Sequence, residues 1–216
     1  MRTELKKIGV IGDVHAEDEL LEKTIMKLKS LQVNEIFCTG DIVDGPGSAV
    51  RCISLLNEHN VKTVSGNHDR WLLKSEMRNL EDASLPEDLD GFSRQFLESL
   101  DAEYEFNIND IKILLCHGIG KNDMSKINPD DFGYAIEVND ELQEIIRAGK
   151  IKIIINGHSH KRMVKKIESL FIVNAGTLFR EHSPTFLMID FTLLKVDFYT
   201  FDADFEPFLD EGIFIR

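Results

Sequence analysis

Ile8-Gly9-Val10-Ile11-Gly12-Asp13-Val14-His15 reads as a β-branched strand that stops at a glycine and passes at once to a carboxylate and an imidazole. The same grammar returns twice. Glu35 to Thr39 runs into Gly40-Asp41-Ile42-Val43-Asp44, and Lys62 to Ser65 runs into Gly66-Asn67-His68-Asp69. Stretches of helical period lie between these strands. Asp18 to Leu31 puts Leu20, Leu21, Ile25, Leu28 and Leu31 on one face, and Ser48 to Glu58 begins at a serine suited to cap a helix. Such alternation predicts successive βα units feeding a largely parallel sheet. Each strand then delivers polar residues at its carboxyl end, where open α/β sheets bind their ligands.

Further along, the pattern changes. Between Asp69 and Asp101 the strand signal gives way to a helix, an acidic loop around Pro86 and a second helix over Phe92 to Leu100. A segment of that kind directly after a site loop predicts a cap-like helical insertion, about residues 70–101, in which substrate choice resides. Tyr104 to Ile108 and Ile111 to Cys116 flank Asn109-Asp110, the mark of a tight hairpin leading into His117. A long loop, a helix over Asp140 to Ala148 and the apolar Ile151 to Ile155 follow, the last a buried strand ending at Asn156-Gly157-His158-Ser159-His160. Met163 to Ile167, Phe171 to Val173, Thr185 to Ile189 and Val196 to Thr200 read as short strands of a second sheet. The last dozen residues read only as acidic and aromatic. No repeat or linker divides the 216 residues, so a single domain over 1–216 is expected.

Composition narrows the function classes. A formal charge of −13 repels polyphosphate backbones and anionic membrane surfaces, so DNA binding and membrane association are not expected. A small anionic substrate still fits if bound cations reverse the local field. The three cysteines, Cys38, Cys52 and Cys116, are widely spaced and form no Cys-x-x-Cys pair, which fits a reducing compartment. The apolar stretch after the first lysines is too brief for a secretory or spanning segment, so a cytoplasmic location is expected.

Five of the seven histidines fall in the strand-end loops, accompanied by aspartates and one asparagine. Asp13, His15, Asp41, Asn67, His117, His158 and His160 share one rim, and seven such ligands suffice for two ions. One ion takes Asp13, His15 and His160; the other takes Asn67, His117 and His158; Asp41 bridges them. Imidazole with carboxylate and amide oxygen, and no thiolate, favours divalent first-row ions (Mn, Fe, Co, Zn or Ni, with Mn preferred) over Ca or Mg. Charge counting agrees. Two divalent ions bring four positive charges, Asp13 and Asp41 remove two, and a bridging hydroxide one more, leaving the site attractive to phosphate.

With these residues in order, the chain resembles the calcineurin-like metallophosphoesterase superfamily from Gly12 to Thr177, as a small prokaryotic-type phosphoesterase. The five blocks are Asp13-x-His15, Gly40-Asp41-x-x-Asp44, Gly66-Asn67-His68-Asp69, His117 and Gly157-His158-x-His160. Asn174-Ala175-Gly176-Thr177 resembles a later turn of the family, with Ala175 in place of its usual proline. The resemblance implies a four-layer α/β/β/α sandwich of two mixed β-sheets flanked by helices. It also implies in-line attack by a metal-bridging hydroxide, with His68 protonating the leaving oxygen and Asp69 orienting its imidazole.

Arg70, Lys121, Lys161 and Arg162 lie beside motif residues; Arg70, with Asn67 and His68, is the first candidate to meet a substrate phosphate. Asp44 is expected to hydrogen-bond a ligand from behind, and His59 to cap a helix. His182, which follows Arg180 in a loop after the Gly176-Thr177 turn, is read as structural, with a position facing substrate as the alternative. The expected substrate is a small phosphodiester, phosphomonoester or (di)nucleotide. Protein Ser/Thr phosphatase and dinucleoside-polyphosphate hydrolase are the alternatives. From another class comes a non-catalytic metal-binding scaffold of the same fold, against which the presence of His68 argues. Homo-oligomerisation is open.

Overall fold

The computed structural model describes residues 6–215. Two sheets lie face to face between layers of helices. The first holds six strands in the order β11-β10-β9-β1-β2-β3, formed by Lys7–Ile11 (β1), Glu35–Cys38 (β2), Lys62–Thr63 (β3), Thr185–Asp190 (β9), Lys195–Phe201 (β10) and Pro207–Phe214 (β11). The second holds five in the order β4-β5-β6-β8-β7, formed by Glu103–Ile108 (β4), Ile111–Cys116 (β5), Ile153–Asn156 (β6), Met163–Ile167 (β7) and Leu170–Asn174 (β8). Both sheets are mixed. β1 runs parallel to β2 and antiparallel to β9, while β5, β6 and β8 are parallel and β4 and β7 antiparallel to their neighbours.

Strand periodicity builds the layers. Ile8, Val10, Phe37, Ile113, Leu115, Ile153, Ile155 and Val173 point into one buried cluster between the sheets, joined by Leu187, Ile189 and Phe198. The residues in between face outward onto helices, because both faces of each sheet are covered. Ile36 and Cys38 meet Leu21, Ile25 and Leu28 of α1 (Asp18–Ser30) and Ile53 and Leu56 of α2 (Ala49–Glu58). Leu114, Ile154 and Ile172 meet Leu142 of α6 (Asp140–Ala148) on the opposite side. The expected four-layer α/β/β/α sandwich is thus formed by alternation within single strands.

Helix ends follow the expected chemistry. The Ser48 side chain accepts from the Arg51 amide at the start of α2, and α6 stops at Gly149 in the left-handed conformation. The hairpin closes around Asn109, with Ile108 paired to Ile111.

Two expectations change, and one strand left without a sheet finds its place. The strands over Thr185 to Ile189 and Val196 to Thr200 join the first sheet, not the second, β9 pairing antiparallel to β1 and β10 antiparallel to β9; period-2 patterning marks a strand without naming its neighbour. Ile153–Asn156 belongs to the second sheet, beside β5. The acidic, aromatic tail contains β11, an edge strand with Asp210 and Glu211 near its middle, charges that blunt an exposed edge.

The segment after the third motif contains α3 (Asn67–Leu73), a 3₁₀ turn at Pro86–Asp88 and α4 (Gly91–Glu98), and a short α5 (Tyr134–Glu137) lies in the later loop. Leu97 of α4 is buried in the same cluster as α1 and α2, with Leu89, Phe96 and Leu100 packed against it. The helical segment is anchored to the core through α4. No helix among the described residues is long and apolar enough to cross a membrane.

Candidate metal centre

β1, β2, β5 and β6 all end at one rim, and the turns after them, with the start of α3 after β3, carry the polar motifs. Two groups of ligand atoms form there. Asp13, His15, Asp41 and His160 make one, and Asp41, His117 and His158 the other, with ligand atoms in each group within 4.8 Å of one another. Asn67 Oδ1 completes the second, 2.9 Å from both His117 Nε2 and His158 Nδ1. All seven side chains named from the sequence come together, and Asp41 belongs to both groups.

Each carboxylate is held by one oxygen and offers the other. Asp41 Oδ1 accepts from the His68 amide at 2.8 Å, leaving Oδ2 at 3.3 Å from His117 Nε2 and 3.9 Å from His15 Nε2. Asp13 Oδ1 accepts from the His158 amide at 3.1 Å and the Thr39 hydroxyl at 3.4 Å. Its Oδ2 is buried without a hydrogen-bond partner. An orphaned carboxylate oxygen facing imidazole nitrogens fits a cation.

The rings are fixed from behind. His15 Nδ1 donates to the Asp44 carbonyl at 2.9 Å and His117 Nδ1 to the Thr39 carbonyl at 2.8 Å, which turns both Nε2 atoms toward the centre. Gly66 and Gly157 are required by proximity, since a methyl group at either would overlap Asp41 or Asp13 Oδ1. His15, Asp41, Asp44, His158 and His160 all adopt positive φ, strain concentrated where the ligands converge.

Electrostatics point the same way. Burial, and the charge of His117, hold His158 down to about 4; burial and His15 hold His160 down to about 3, so both rings are neutral imidazoles at pH 7. Burial opposes charge on His117 too, but Asp41 and Asp13 outweigh it and lift its pKa to about 10. Burial pushes Asp13 up to about 7. The carboxylates demand positive charge, and a proton on His117 or a divalent ion can meet that demand.

His68 is half-buried beside this centre, and the acid that holds it is Asp44. His68 Nδ1 donates to Asp44 Oδ2 at 2.8 Å. The expectation that Asp69 orients this ring is not met: Asp69 Oδ2 accepts from the Gly66 amide at 2.9 Å, and Oδ1 from the Ile42 amide at 2.8 Å. As third residue of α3, Asp69 folds back to cap its own helix and ties it to the Asp41 loop. Arg70 is likewise committed elsewhere, with a two-pronged bond to Asp123 at 2.6 and 3.0 Å and a contact to Glu76. His182 is closer to the chemistry than expected, its Nδ1 lying 2.8 Å from His160 Nδ1. The turn that carries it is pinned where Arg180 meets the buried Glu17 carboxylate at 2.6 Å. No sequence motif marks His182, since it lies 22 residues beyond its partner.

Comparison with known proteins agrees with this geometry. Residues 7–193 match the model of the calcineurin-like phosphoesterase superfamily domain. An uncharacterised protein of Methanocaldococcus jannaschii, MJ0912, is 26% identical over 199 residues, covering 84% of this chain and 73% of that one. The phosphodiesterase MJ0936 of the same organism is 20% identical over 171 residues, covering 79% and 82%. Among solved structures, the hypothetical protein PH1004 of Pyrococcus horikoshii superposes with a TM-score of 0.73 at 19% identity, covering 92% and 89%. Vps29 of Entamoeba histolytica superposes with a TM-score of 0.58 at 19% identity, covering 97% and 99%. The chain belongs to the calcineurin-like phosphoesterase superfamily.

Proposed function

We propose that the protein is a dinuclear-metal phosphodiesterase acting on a small, singly charged phosphodiester, a dinucleotide being the preferred class. The observation that carries this reading is Asp41 Oδ2, shared between two ligand groups while the buried Asp13 Oδ2 has no partner. Asp13, His15, Asp41 and His160 would hold one ion, and Asp41, Asn67, His117 and His158 the other. The donor set suits Mn, Fe, Co, Zn or Ni, and Mn is the first to test. When bound, the ions would supply an activated water and neutralise the phosphoryl oxygens.

The chain's own residues do the rest. His68, steadied through Nδ1 by Asp44, would give its other ring proton to the departing oxygen. Asp69 acts through the backbone, holding the Asp41 loop against the start of α3. A diester is favoured over a monoester because Arg70, Arg78 and Arg180 are each spent on a carboxylate: Asp123, Asp44 and Glu17. A dianionic monoester is better met by a free arginine fork. Residues 70–101 are read as part of the same domain.

The test is protein reconstituted with Mn²⁺ and offered bis-p-nitrophenyl phosphate and p-nitrophenyl phosphate in parallel. The reading expects hydrolysis with a higher kcat/KM for the diester. Full metal loading with no turnover of either ester, or of a nucleotide panel, overturns it.

A further inference from the structure

Asp44 is saturated with donors, and most of them come from one segment. Oδ2 accepts from His68 Nδ1 at 2.8 Å and Arg78 Nη2 at 2.9 Å; Oδ1 accepts from Arg78 Nη1 at 2.7 Å and the Ser84 amide at 2.9 Å. The Asp44 amide in turn donates to Ser84 Oγ at 3.1 Å. Arg78 is itself fixed, since Nη1 also donates to the Ser84 carbonyl at 2.7 Å and Nε to the Glu76 carbonyl at 2.6 Å. The Arg78 side chain is 13% exposed and that of Asp44 3%. Every side-chain nitrogen and oxygen of this knot except His68 Nε2 is thereby engaged within the protein.

A carboxylate gripped by a planar fork cannot swing, and a ring hydrogen-bonded to it inherits that constraint. We propose that Arg78, assisted by Ser84, is a positioning residue for His68: the irregular stretch over residues 74–85, between α3 and the 3₁₀ turn, works as a strap that holds Asp44, and through Asp44 aims the His68 imidazole. The role differs from that of a lid over the substrate. Arg78 meets no reacting atom; it acts through another side chain. This inference rests on the reading of His68 as the donor to the leaving oxygen.

Leaving-group dependence separates aim from mere stability. An activated aryl oxygen departs without a proton, whereas an alkoxide does not, so misaiming the acid penalises poor leaving groups. Arg78→Met and Arg78→Lys are compared with wild type on bis-p-nitrophenyl phosphate, followed through p-nitrophenolate, and on a dialkyl phosphodiester, followed through the released alcohol. The expected loss for Arg78→Met on alcohol release is about 10–100-fold greater than on p-nitrophenolate release, with Arg78→Lys between it and wild type. Metal content measured on the same samples stays at the wild-type level. Equal losses on both leaving groups, or none, overturn the proposal.

A second readout needs no turnover. The hydrogen-bonded Nδ1 proton of His68, identified by its disappearance in His68→Ala, is expected as a downfield NMR resonance in wild type and Arg78→Lys and to be broadened away in Arg78→Met. Its persistence in a folded Arg78→Met overturns the strap. Inactivity of the wild type on all esters overturns the phosphoesterase reading instead, and the resonance still decides the strap. If Arg78→Met does not fold, Ser84→Gly, which removes the hydroxyl grip on the Asp44 amide, is expected to broaden the same resonance, and an unaltered line refutes the role.

Discussion

His15 and His160 meet with Nε2 3.0 Å from Nε2, although the rings lie 145 residues apart in the chain. Two ring nitrogens at that distance share one proton at most. Because His15 Nδ1 already donates to a carbonyl and burial holds both pKa values down, the pair presents lone pairs to a common point. Asp13 Oδ2, 3.3 Å from His160 Nε2, faces the same point. A cation resolves this arrangement better than any protonation state of the three groups.

Metal affinity should therefore rise with pH. Below about 10 an ion entering the second group must displace the proton that Asp41 and Asp13 stabilise on His117, and below about 7 one entering the first must displace the proton on Asp13. Each displaced proton contributes about tenfold in affinity per pH unit. Chelator competition between pH 6 and 9 should show this slope. Calorimetry in buffers of different ionisation enthalpy should count the protons released.

Removing single ligands should separate the two groups. Asp41→Ala loses both ions, since it serves both, whereas His160→Ala and Asn67→Ala each lose one. Elemental analysis after dialysis reads the stoichiometry directly. Gly157→Ala should resemble an Asp13 variant, because its methyl group would displace Asp13 Oδ1.

His68→Ala should leave both ions in place and lower kcat by about 10²–10⁴. Burial opposes the charged form of His68, but the Asp44 hydrogen bond and the Asp41 carboxylate outweigh it and raise the pKa above the usual 6.5. As an acid the ring must carry its proton, so kcat should fall as pH rises through a value above 6.5, and the His68→Ala profile should lack that limb.

His182→Ala should weaken binding of the ion held by His160 about 10–100-fold without changing the other site, as loss of an outer partner to a ligating imidazole typically does. His182→Asn, which keeps a hydrogen-bonding group, should restore part of that loss. Competition between two chelators of different strength measures both sites.

How much of this was legible beforehand depends on how local the signal is. β1, β2, the β4–β5 hairpin, α1, α2 and α6 announce themselves through periodicity and caps confined to a few neighbouring residues. Sheet membership of β9 and β10 is a long-range fact that alternation cannot encode. β11 escaped because Pro207, Asp210 and Glu211 interrupt the apolar pattern of an exposed edge strand. Among site residues, the candidate ligands are legible because each lies within a few residues of a strand end. The partner of His68 was not, since the choice between Asp44 and Asp69 depends on whether the chain turns helical at Asn67. One local signal did exist: an acid three residues after Gly66 is the arrangement of a capping box, which occupies Asp69 with backbone amides. Arg78 and His182 reach the centre only through tertiary folding.

The most direct test of the central claim is electron paramagnetic resonance of protein titrated with Mn²⁺. Two ions sharing Asp41 would lie about 3.5–4 Å apart. The account predicts uptake of two equivalents and an exchange-coupled spectrum that Asp41→Ala abolishes. Saturation at one equivalent, or a six-line signal of isolated Mn²⁺ persisting at saturation, would contradict it.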